Sequence, residues 1–577
     1  MMVAANPITA TEVNVAKILS NDYAFEIPPY QRPYAWELEQ ASELLSDLLD
    51  ALDEHRVKHA GAYFLGSIVL IKSPAVADAK IVDGQQRLTT LTILISVIRD
   101  LTSDAEQQLK RHQYVCQSGD PDLGTQDRYR LLLRERDRGF FERTVQAMRA
   151  TNALSDPHPL EGSERRIVEN ARFFRERLSG IDEARRDEFV AFVLQRCYLV
   201  VVAVPTAEAA RRIFTVLNAR GLDLTATDIL KADLLERAGH NREAALARDW
   251  ESIEEVLGRD RFVELFTHIR MIYEREKPRS ALESAFRDIV GPFDAEPASF
   301  IPAVLEPLSE AMKMLDDAVE VQRQFGAAAA KAVRSLARID NKDWVPPAIL
   351  SIWLRKQGRL ISDQVGSFLV HLERLAYYLF VTRADVNARV LRFASVLDGL
   401  DPPANRAART PGIDLSVDEA REFLKALDGP IYRKTRVVKP VLQRLDEALS
   451  TGGAVYEDPT SIEHVLPQTM DADGEWAQLF PDEQVQECWT HRLANLVFLT
   501  RRTNIRASNW EFERKKRDYF QSQDGRNPYP LTQQVLDEPV WTPAILERRQ
   551  ARLLHRLAGI WNLPVPDPAT TSVVDSA

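Results

Sequence analysis

The longest uniform pattern in the sequence is helical and extends from about residue 240 to residue 425. Segments such as RFVELFTHIRMIYE and SFLVHLERLAYYLFVTR repeat apolar residues every three or four positions, as one face of a helix requires. Glycine is sparse in the whole chain, whereas alanine, leucine, arginine and glutamate are abundant, and this composition favours helices. The stretch contains no recognisable pattern for binding or catalysis. It is therefore predicted to be a helical linker domain between two ends of different character.

Short strands are predicted at both ends. In the N-terminal part, YFLGSIVLI (63–71) and the β-branched run before Gly84 are typical of a strand pair, and CYLVVVAVP (197–205) is typical of a buried strand. A helix cap is predicted at Thr225 or Thr227. The end of the chain combines short strand signals with a final amphipathic helix. The expected fold class is predominantly α with α+β ends, and the expected domains are 1–235, 236–425 and 426–577.

Charge and cysteine content limit the classes of function. The formal net charge is −11, and the three cysteines form no CxxC pair, which argues against a four-cysteine zinc site or a disulfide framework. Proteins that depend on non-specific phosphate contacts are usually basic, so nucleic acid must be bound by local basic patches or only in a gated state. The N-terminus has no signal-peptide pattern, and the most apolar run, 88–98, is too short to span a membrane. We expect a cytoplasmic protein without a membrane partner.

The segment SIEHVLPQT (461–469) combines residue types that are typical of a catalytic site. A histidine on a strand can act as a general base on a water molecule, and a carboxylate beside it can hold a divalent cation on a phosphate; here these residues are His464 and Glu463. Residues 491–517 contain eight lysines and arginines against two acids, which predicts a local phosphate-binding face. A second basic stretch, 431–444, is expected to line the DNA that this phosphate-binding face would hold. Together these features predict a nuclease site.

The segment resembles the HNH nucleases of the ββα-metal class, in the version that has lost its structural zinc. EHVLP, ANLVFL and LTRRTN stand at the positions of the three HNH elements. The resemblance implies that His464 is the general base and that Asn495 orients it. It also implies that Glu463, with Asn504 or Asn509, binds Mg²⁺ or Mn²⁺. The residues expected to contact DNA from this part of the chain are Arg501, Arg502, Arg506, Lys515 and Lys516.

The N-terminal stretch IVDGQQRLTT (81–90) predicts a strand, a glycine turn and a helix start. Gly84 permits a sharp turn, free N–H groups at a helix start favour an anion, and Arg87 adds a bidentate donor for phosphate oxygens. This predicts a polyphosphate cradle, although no GxxxxGK motif occurs in the chain. The alternative is a tight turn with a structural arginine. The expected nucleotide-binding residues are Asp83, Gly84, Gln85, Gln86 and Arg87, with Gln31 and Arg32 from the loop IPPYQRPYAW.

The same loop carries three aromatic residues, Tyr30, Tyr34 and Trp36, next to prolines. They are candidate DNA contacts that would stack on a base, and the alternative is burial in the core. A third segment, FTVLNARGLDLTATDILK, offers Asn218, Asp228 and other polar residues. For these two, helix capping and ligand contact are equally good interpretations.

YQRPYAW, DGQQR and FTVLNARGLDL follow one another in the order of a known family. With these three motifs in this order, the chain resembles the GmrSD-type modification-dependent (type IV) restriction enzymes. The resemblance implies a ParB/sulfiredoxin-like N-terminal domain, a helical middle and a C-terminal zinc-less HNH domain. It implies a bacterial defence protein that binds and hydrolyses a nucleoside triphosphate (GTP, UTP, CTP or ATP), senses modified phage DNA and cuts or nicks the double strand.

The main hypothesis is therefore an NTP-regulated, metal-dependent DNA endonuclease. A second hypothesis is a nucleotide-dependent sensor or interaction module with an idle HNH domain. A third is an HNH toxin that cleaves RNA. The sequence leaves open the modification that is sensed, the nucleotide, and the oligomeric state, with a homodimer among the options.

Overall fold

The structure is a computed structural model of the 577-residue chain. The chain divides into two compact units, which we call the N-terminal unit (residues 1–252 with 296–298) and the C-terminal unit (253–295 and 299–577). The finer division into three domains stays a prediction. The structure describes residues 9–58, 62–73, 76–119, 122, 124–206, 209, 225–401, 412–450, 460–471, 473–500, 510–520 and 528–564.

Helices dominate the described residues, which confirms a predominantly α fold. The predicted cap at Thr225 is confirmed as a capping box, because the Thr225 hydroxyl accepts from the N–H of Asp228 while the Asp228 carboxylate accepts from the N–H of Thr225. The α-helices are Val15–Ile18, Leu38–Lys58, Gln85–Leu101, Ala105–His112, Glu135–Phe141, Gly162–Ser179, Glu183–Arg196, Ala226–Ala238, His240–Leu257, Arg259–Glu274, Leu282–Ile289, Gly291–Ala295, Pro297–Phe300, Glu306–Asp316, Ala318–Phe325, Ala327–Leu336, Val345–Lys356, Ser362–Val381, Val386–Leu400, Val417–Asp428, Thr435–Leu449, Glu475–Leu479, Glu483–Thr490, Phe512–Lys515, Pro530–Leu536 and Pro543–Ile560. Short 3-10 or π-helical turns are Glu142–Gln146, Ala150–Ala153, Ile301–Leu305, Ile431–Arg433, Leu493–Asn495 and Lys516–Phe520.

Among the described residues, the strands form one six-stranded sheet and two strand pairs. They are β1 Thr9–Asn14, β2 Ala24–Glu26, β3 Tyr63–Ile71, β4 Asp78–Asp83, β5 Cys116–Gln117, β6 Arg128–Tyr129, β7 Leu131–Leu132, β8 Cys197–Val204, β9 Thr460–His464 and β10 Leu496–Thr500. The sheet lies in the N-terminal unit, with strand order β1-β8-β3-β4-β2-β7 and mixed pairing: β3 is parallel to β8 and antiparallel to β4. The predicted strand pair before Gly84 is thereby confirmed. The pairs are β5 with β6 and β9 with β10, both antiparallel.

The core of the N-terminal unit is built around the helix Gln85–Leu101, which is buried on nearly all of its faces. Its apolar side chains join those of the sheet and of the helix Gly162–Ser179 in one cluster. Gly84 precedes this helix with φ +91°, a left-handed conformation that favours glycine. A Cβ at Gly84 would lie 2.4 Å from Cγ2 of Ile68, so the turn from β4 into the helix also needs glycine for space.

The C-terminal unit combines a large helical part with the small pair β9–β10. An apolar cluster that includes Val465, Trp476, Val497 and Trp541 packs beneath this pair. The final helix Pro543–Ile560 buries one face, as its amphipathic pattern predicts. Within the described ranges, no helix has both the length and the hydropathy that crossing a membrane requires.

Candidate functional site

His464 is the last residue of β9, where it pairs with Leu496 of β10. The residue is 5% exposed, and Nδ1 of its ring lies 3.4 Å from the side-chain nitrogen of Gln468. Its other ring nitrogen, Nε2, is buried and has no hydrogen-bond partner among the described residues. Burial lowers the pKa of His464 to about 3, and His491 and Lys515 act in the same direction. The imidazole is therefore neutral near pH 7.

The rings of Tyr432 and His491 lie beside the imidazole of His464. Tyr432 meets His464 edge-on, with ring centroids 4.2 Å apart, and it stacks on His491 with an interplanar angle of 7°. The backbone N–H of Tyr432 donates to the carbonyl of His491 over 3.0 Å, which fixes the two segments together. Sequence analysis included Tyr432 only in the basic stretch 431–444. No local pattern indicated that these residues meet the histidine.

Asn495 acts on the backbone behind His464. Its Oδ1 accepts from the N–H of Leu466 and from the indole N–H of Trp541, and its Nδ2 donates to the carbonyls of Leu466 and Thr490. Two donors and two acceptors use the amide fully, so none of its capacity remains for the imidazole ring. Asn495 therefore contacts the backbone of Leu466, two residues after His464, and makes no hydrogen bond to the imidazole itself.

Glu463 and the two lysines of the predicted DNA-binding face have internal partners. The buried Lys515 ammonium lies 2.9 Å from Glu463 Oε1 and also donates to the carbonyls of His464 and Val465. Lys516 donates to the carbonyl of Glu538 and packs on the ring of Phe512. In this structure Lys515 is buried and offers no surface to DNA, which corrects the expectation that it binds phosphate. The basic pattern failed here because charge spacing alone does not reveal burial.

Five further predicted residues of this site lie outside the described residues. They are the metal-ligand candidates Asn504 and Asn509 and the DNA-contact candidates Arg501, Arg502 and Arg506. Among the residues that the structure does describe, no three His, Cys, Asp or Glu side chains form a group that could hold a metal ion.

In the N-terminal unit, the DGQQR turn and the YQRPYAW loop are docked on each other. Gln86 accepts from the N–H of Ala35 over 2.7 Å and donates to the carbonyl of Pro33 over 3.0 Å. Gln31 in turn donates to the carbonyl of Val82 in β4 over 2.7 Å. Both side chains are buried. The two motifs were predicted to act together, and the structure brings them together through the backbone contacts of these two glutamines.

The aromatic residues of the loop occupy different environments. Tyr34 is buried, with its hydroxyl hydrogen-bonded to Thr90 at 2.7 Å and to Asn170 at 2.9 Å, and burial raises its pKa to about 12. Trp36 is partly buried and packs against the core, and Tyr30 is half-buried. The prediction of a DNA contact is thus corrected for Tyr34, because its ring and hydroxyl are both committed to the interior.

Charged groups collect beside the start of the helix Gln85–Leu101. Burial raises the pKa of Asp83, while the guanidinium groups of Arg87 and Arg32 oppose that rise. Arg87 donates to the carbonyl of Ser67 over 3.0 Å. Its guanidinium lies within 3.1–3.2 Å of the point where a Cβ on Gly66 would stand, so Gly66 leaves the space that it fills. Sequence reasoning missed Gly66, although a glycine inside a strand pattern is a signal of close approach.

A small cavity adjoins this turn and leads to a buried ion cluster. Arg32, Gln85 and Asp137 are among the residues that line the cavity. The cluster joins Arg134 to Asp137 at 2.6 Å and to the carboxylate of Glu251, which also binds Lys231 at 2.8 Å. Two cations and two carboxylates thus balance in the interior, as buried charges require. Lys231 belongs to the third motif of the sequence, so this cluster joins that motif to the cavity.

The fold and the two sites define a two-part protein. One part holds an arginine- and glutamine-rich turn at a helix start, and the other presents a buried neutral histidine at the end of a strand pair. Residues 15–235 match the family model described as GmrSD restriction endonuclease, N-terminal domain, and residues 417–556 match GmrSD restriction endonucleases, C-terminal domain. The chain belongs to the GmrSD-type restriction endonuclease family.

Family membership supports a nuclease, a hydrolase with DNA as its substrate, that acts in phage defence. A search of curated proteins found no match to the chain.

Proposed function

We propose that the chain is an HNH-type DNA endonuclease with His464 as its general base, and that a nucleoside triphosphate bound in the N-terminal unit regulates cutting. The observation that carries the nuclease assignment is the buried Nε2 of His464, which has no described hydrogen-bond partner and lies in a site built from several segments. The order β9, β10 and then the helix Phe512–Lys515 supports the ββα class. A buried polar atom without a partner is costly, so a functional role explains why it is kept.

The residues around His464 supply orientation. The Gln468 side chain lies 3.4 Å from Nδ1, on the opposite side of the ring from Nε2. With the amide turned so that its oxygen accepts from an Nδ1–H, Nε2 is the nitrogen that takes a proton from an attacking water. Tyr432 and His491 limit the rotation of the ring by contact. Asn495 holds the backbone after His464 in place. A general base of this kind contributes about 10²- to 10⁴-fold to a rate.

The metal that the HNH resemblance implies, Mg²⁺ or Mn²⁺, stays a prediction. Of its three candidate ligands the structure describes only Glu463, and one oxygen of that carboxylate is bound by Lys515. The described donors therefore do not fit a complete metal site.

Nucleotide binding is proposed at the turn after β4. Arg87 and Arg32 both lie close enough to Asp83 to act on its charge, next to the N-terminal end of a long helix. Two guanidinium groups and a helix N-terminus together favour a phosphate group. Gln85 lines the small cavity that adjoins this turn.

The test is a cleavage assay on the full-length protein with modified phage DNA, unmodified plasmid and RNA. Each substrate is incubated with Mg²⁺, Mn²⁺ or EDTA, and with each of the four triphosphates or none. We expect modified DNA to be cut when Mg²⁺ or Mn²⁺ is present. One of the four triphosphates should change the extent of cutting relative to the reaction without triphosphate. His464→Ala should lower the rate by about 100-fold or more. The matched control, His555→Ala, changes an exposed histidine and should cut like the wild type.

Equal cutting by His464→Ala and the wild type would overturn the assignment of the base. Triphosphate turnover that survives His464→Ala, with no DNA cut under any metal, would favour a sensor with an idle nuclease domain. Cleavage of RNA but not of DNA would favour an RNase.

A further inference from the structure

The ammonium of Lys515 lies in the interior of the C-terminal unit beside the end of β9. Its residue is 0% exposed, and Nζ lies 2.9 Å from Glu463 Oε1, 2.7 Å from the His464 carbonyl and 3.2 Å from the Val465 carbonyl. An ammonium group has three N–H donors. These three acceptors use all of them. Lys515 therefore has no donor left for an outside ligand.

The same contacts show which cation is paired with the Glu463 carboxylate. Its side chain is 14% exposed and faces a cation that is 1% exposed. A carboxylate in such an environment needs a positive partner, because desolvation of an unpaired charge is costly. In an HNH centre that partner is expected to be a divalent metal ion. Here it is a lysine, held on the helix that follows the strand pair.

We propose that Lys515 is the resident cation of Glu463, in place of a metal ion, and that it is a positioning residue for His464. By binding the carbonyls of His464 and Val465, Lys515 fixes the backbone on both sides of the peptide bond that leads away from the base. Asn495 holds the next residue, Leu466, in the same way. The proposal rests on the nuclease function proposed for His464, but its first two tests do not depend on cleavage.

The first test is a double-mutant cycle on the full-length protein, read out as the midpoint of thermal unfolding. Lys515→Met and Glu463→Gln should each lower the midpoint by several degrees, because each leaves one buried charge without its partner. The double variant should lose clearly less than the sum of the two. The control pairs Glu463→Gln with Lys425→Met, an exposed lysine of the same unit, and should be additive. Additive losses for the Lys515 pair would overturn the proposal.

The second test measures Mn²⁺ binding by calorimetry without DNA. Glu463→Gln should leave the Mn²⁺ affinity within about two-fold of the wild type, because the carboxylate is already occupied. Lys515→Met should raise the affinity several-fold, because it releases that carboxylate. A ten-fold or greater loss of affinity in Glu463→Gln would show that Glu463 is a metal ligand and would overturn the proposal.

The third test separates positioning from stability. At a temperature below every midpoint, the double variant Glu463→Gln with Lys515→Met should cut modified DNA at least ten-fold more slowly in kcat, with KM within about two-fold. The neutral pair restores the charge balance but cannot hold the two carbonyls. Cutting at the wild-type kcat would overturn the positioning role. A wild type that cuts nothing would refute the proposed function instead, and would leave the unfolding and Mn²⁺ results to decide the place of Lys515.

Discussion

The rings of Tyr432 and His464 meet edge-on, with centroids 4.2 Å apart and planes at 75°. This contact brings a 3-10 turn, Ile431–Arg433, to the end of β9. The turn is held there by the hydrogen bond from Tyr432 to the carbonyl of His491. The imidazole of the proposed base thus lies beside residues from two other segments of the C-terminal unit, the turn Ile431–Arg433 and His491.

Replacement of Tyr432 tests this contact. Tyr432→Ala removes the ring, so His464 gains rotational freedom, and we expect kcat for DNA cleavage to fall about 10-fold or more. Tyr432→Phe keeps the ring and should retain kcat within about three-fold, since an edge-on contact depends on the ring itself. Steady-state cleavage of a defined modified duplex provides the measurement. If Tyr432→Phe is as slow as Tyr432→Ala, the hydroxyl acts on the substrate and the ring is not the decisive part.

Asn495 should be important for folding as much as for cutting. Asn495→Ala breaks four buried hydrogen bonds and leaves polar backbone atoms unpaired, which costs about 3 kcal/mol. Asn495→Asp keeps the shape of the side chain but turns an oxygen toward the carbonyls of Leu466 and Thr490, so it should destabilise as much. Both variants should unfold at a clearly lower temperature than the wild type.

The control for Asn495 is Asn387→Ala, an exposed asparagine of the same unit. It should change stability by no more than about 0.5 kcal/mol. A normal midpoint for Asn495→Asp would mean that the amide donors do not hold the loop.

Local signals explain what the sequence could predict. Neighbouring residues alone predict a helix cap at Thr225 or Thr227 and a strand pair before Gly84. The structure has the cap at Thr225 and the pair β3–β4. Lys515 was assigned to the surface because a run of basic residues carries no information on which of them is buried. Its partner Glu463 is far away in sequence, and only the packing of the helix against β9 brings the two together.

The contacts of the glutamines in the DGQQR turn also could not be predicted from the sequence. Their polar side chains fit a nucleotide site by composition, yet Gln86 uses its amide to hold the loop at Pro33 and Ala35. Such contacts between a side chain and a distant backbone have no sequence signature. The histidine at 464, by contrast, could be singled out because its motif is contiguous.

Gly84 offers a direct test of the strand-to-helix turn. Gly84→Ala combines a left-handed φ of +91° with a Cβ placed 2.4 Å from Ile68, so we expect a loss of about 2–4 kcal/mol. The matched control is Gly124→Ala, which has φ +66° but no neighbouring atom within 4 Å of its Cβ. It should cost only about 1 kcal/mol, the strain of the backbone alone. Comparable unfolding midpoints for the two variants would show that the turn can move away from Ile68.

Arg87 is the residue that best separates a nucleotide site from a structural turn. If the guanidinium binds a phosphate group, Arg87→Ala should weaken triphosphate binding by about 10-fold or more, as loss of a charge-assisted bidentate contact predicts. Arg87→Lys keeps the charge but not the fork, and it should recover only part of the affinity. Isothermal titration with each of the four triphosphates measures the effect, and thermal unfolding shows whether the loss of the bond to Ser67 disturbs the fold. The control is Arg172→Ala, an exposed arginine of the same unit, which should bind like the wild type. Normal triphosphate binding by a folded Arg87→Ala protein would show that the guanidinium has only a structural role, connecting β3 with the helix Gln85–Leu101.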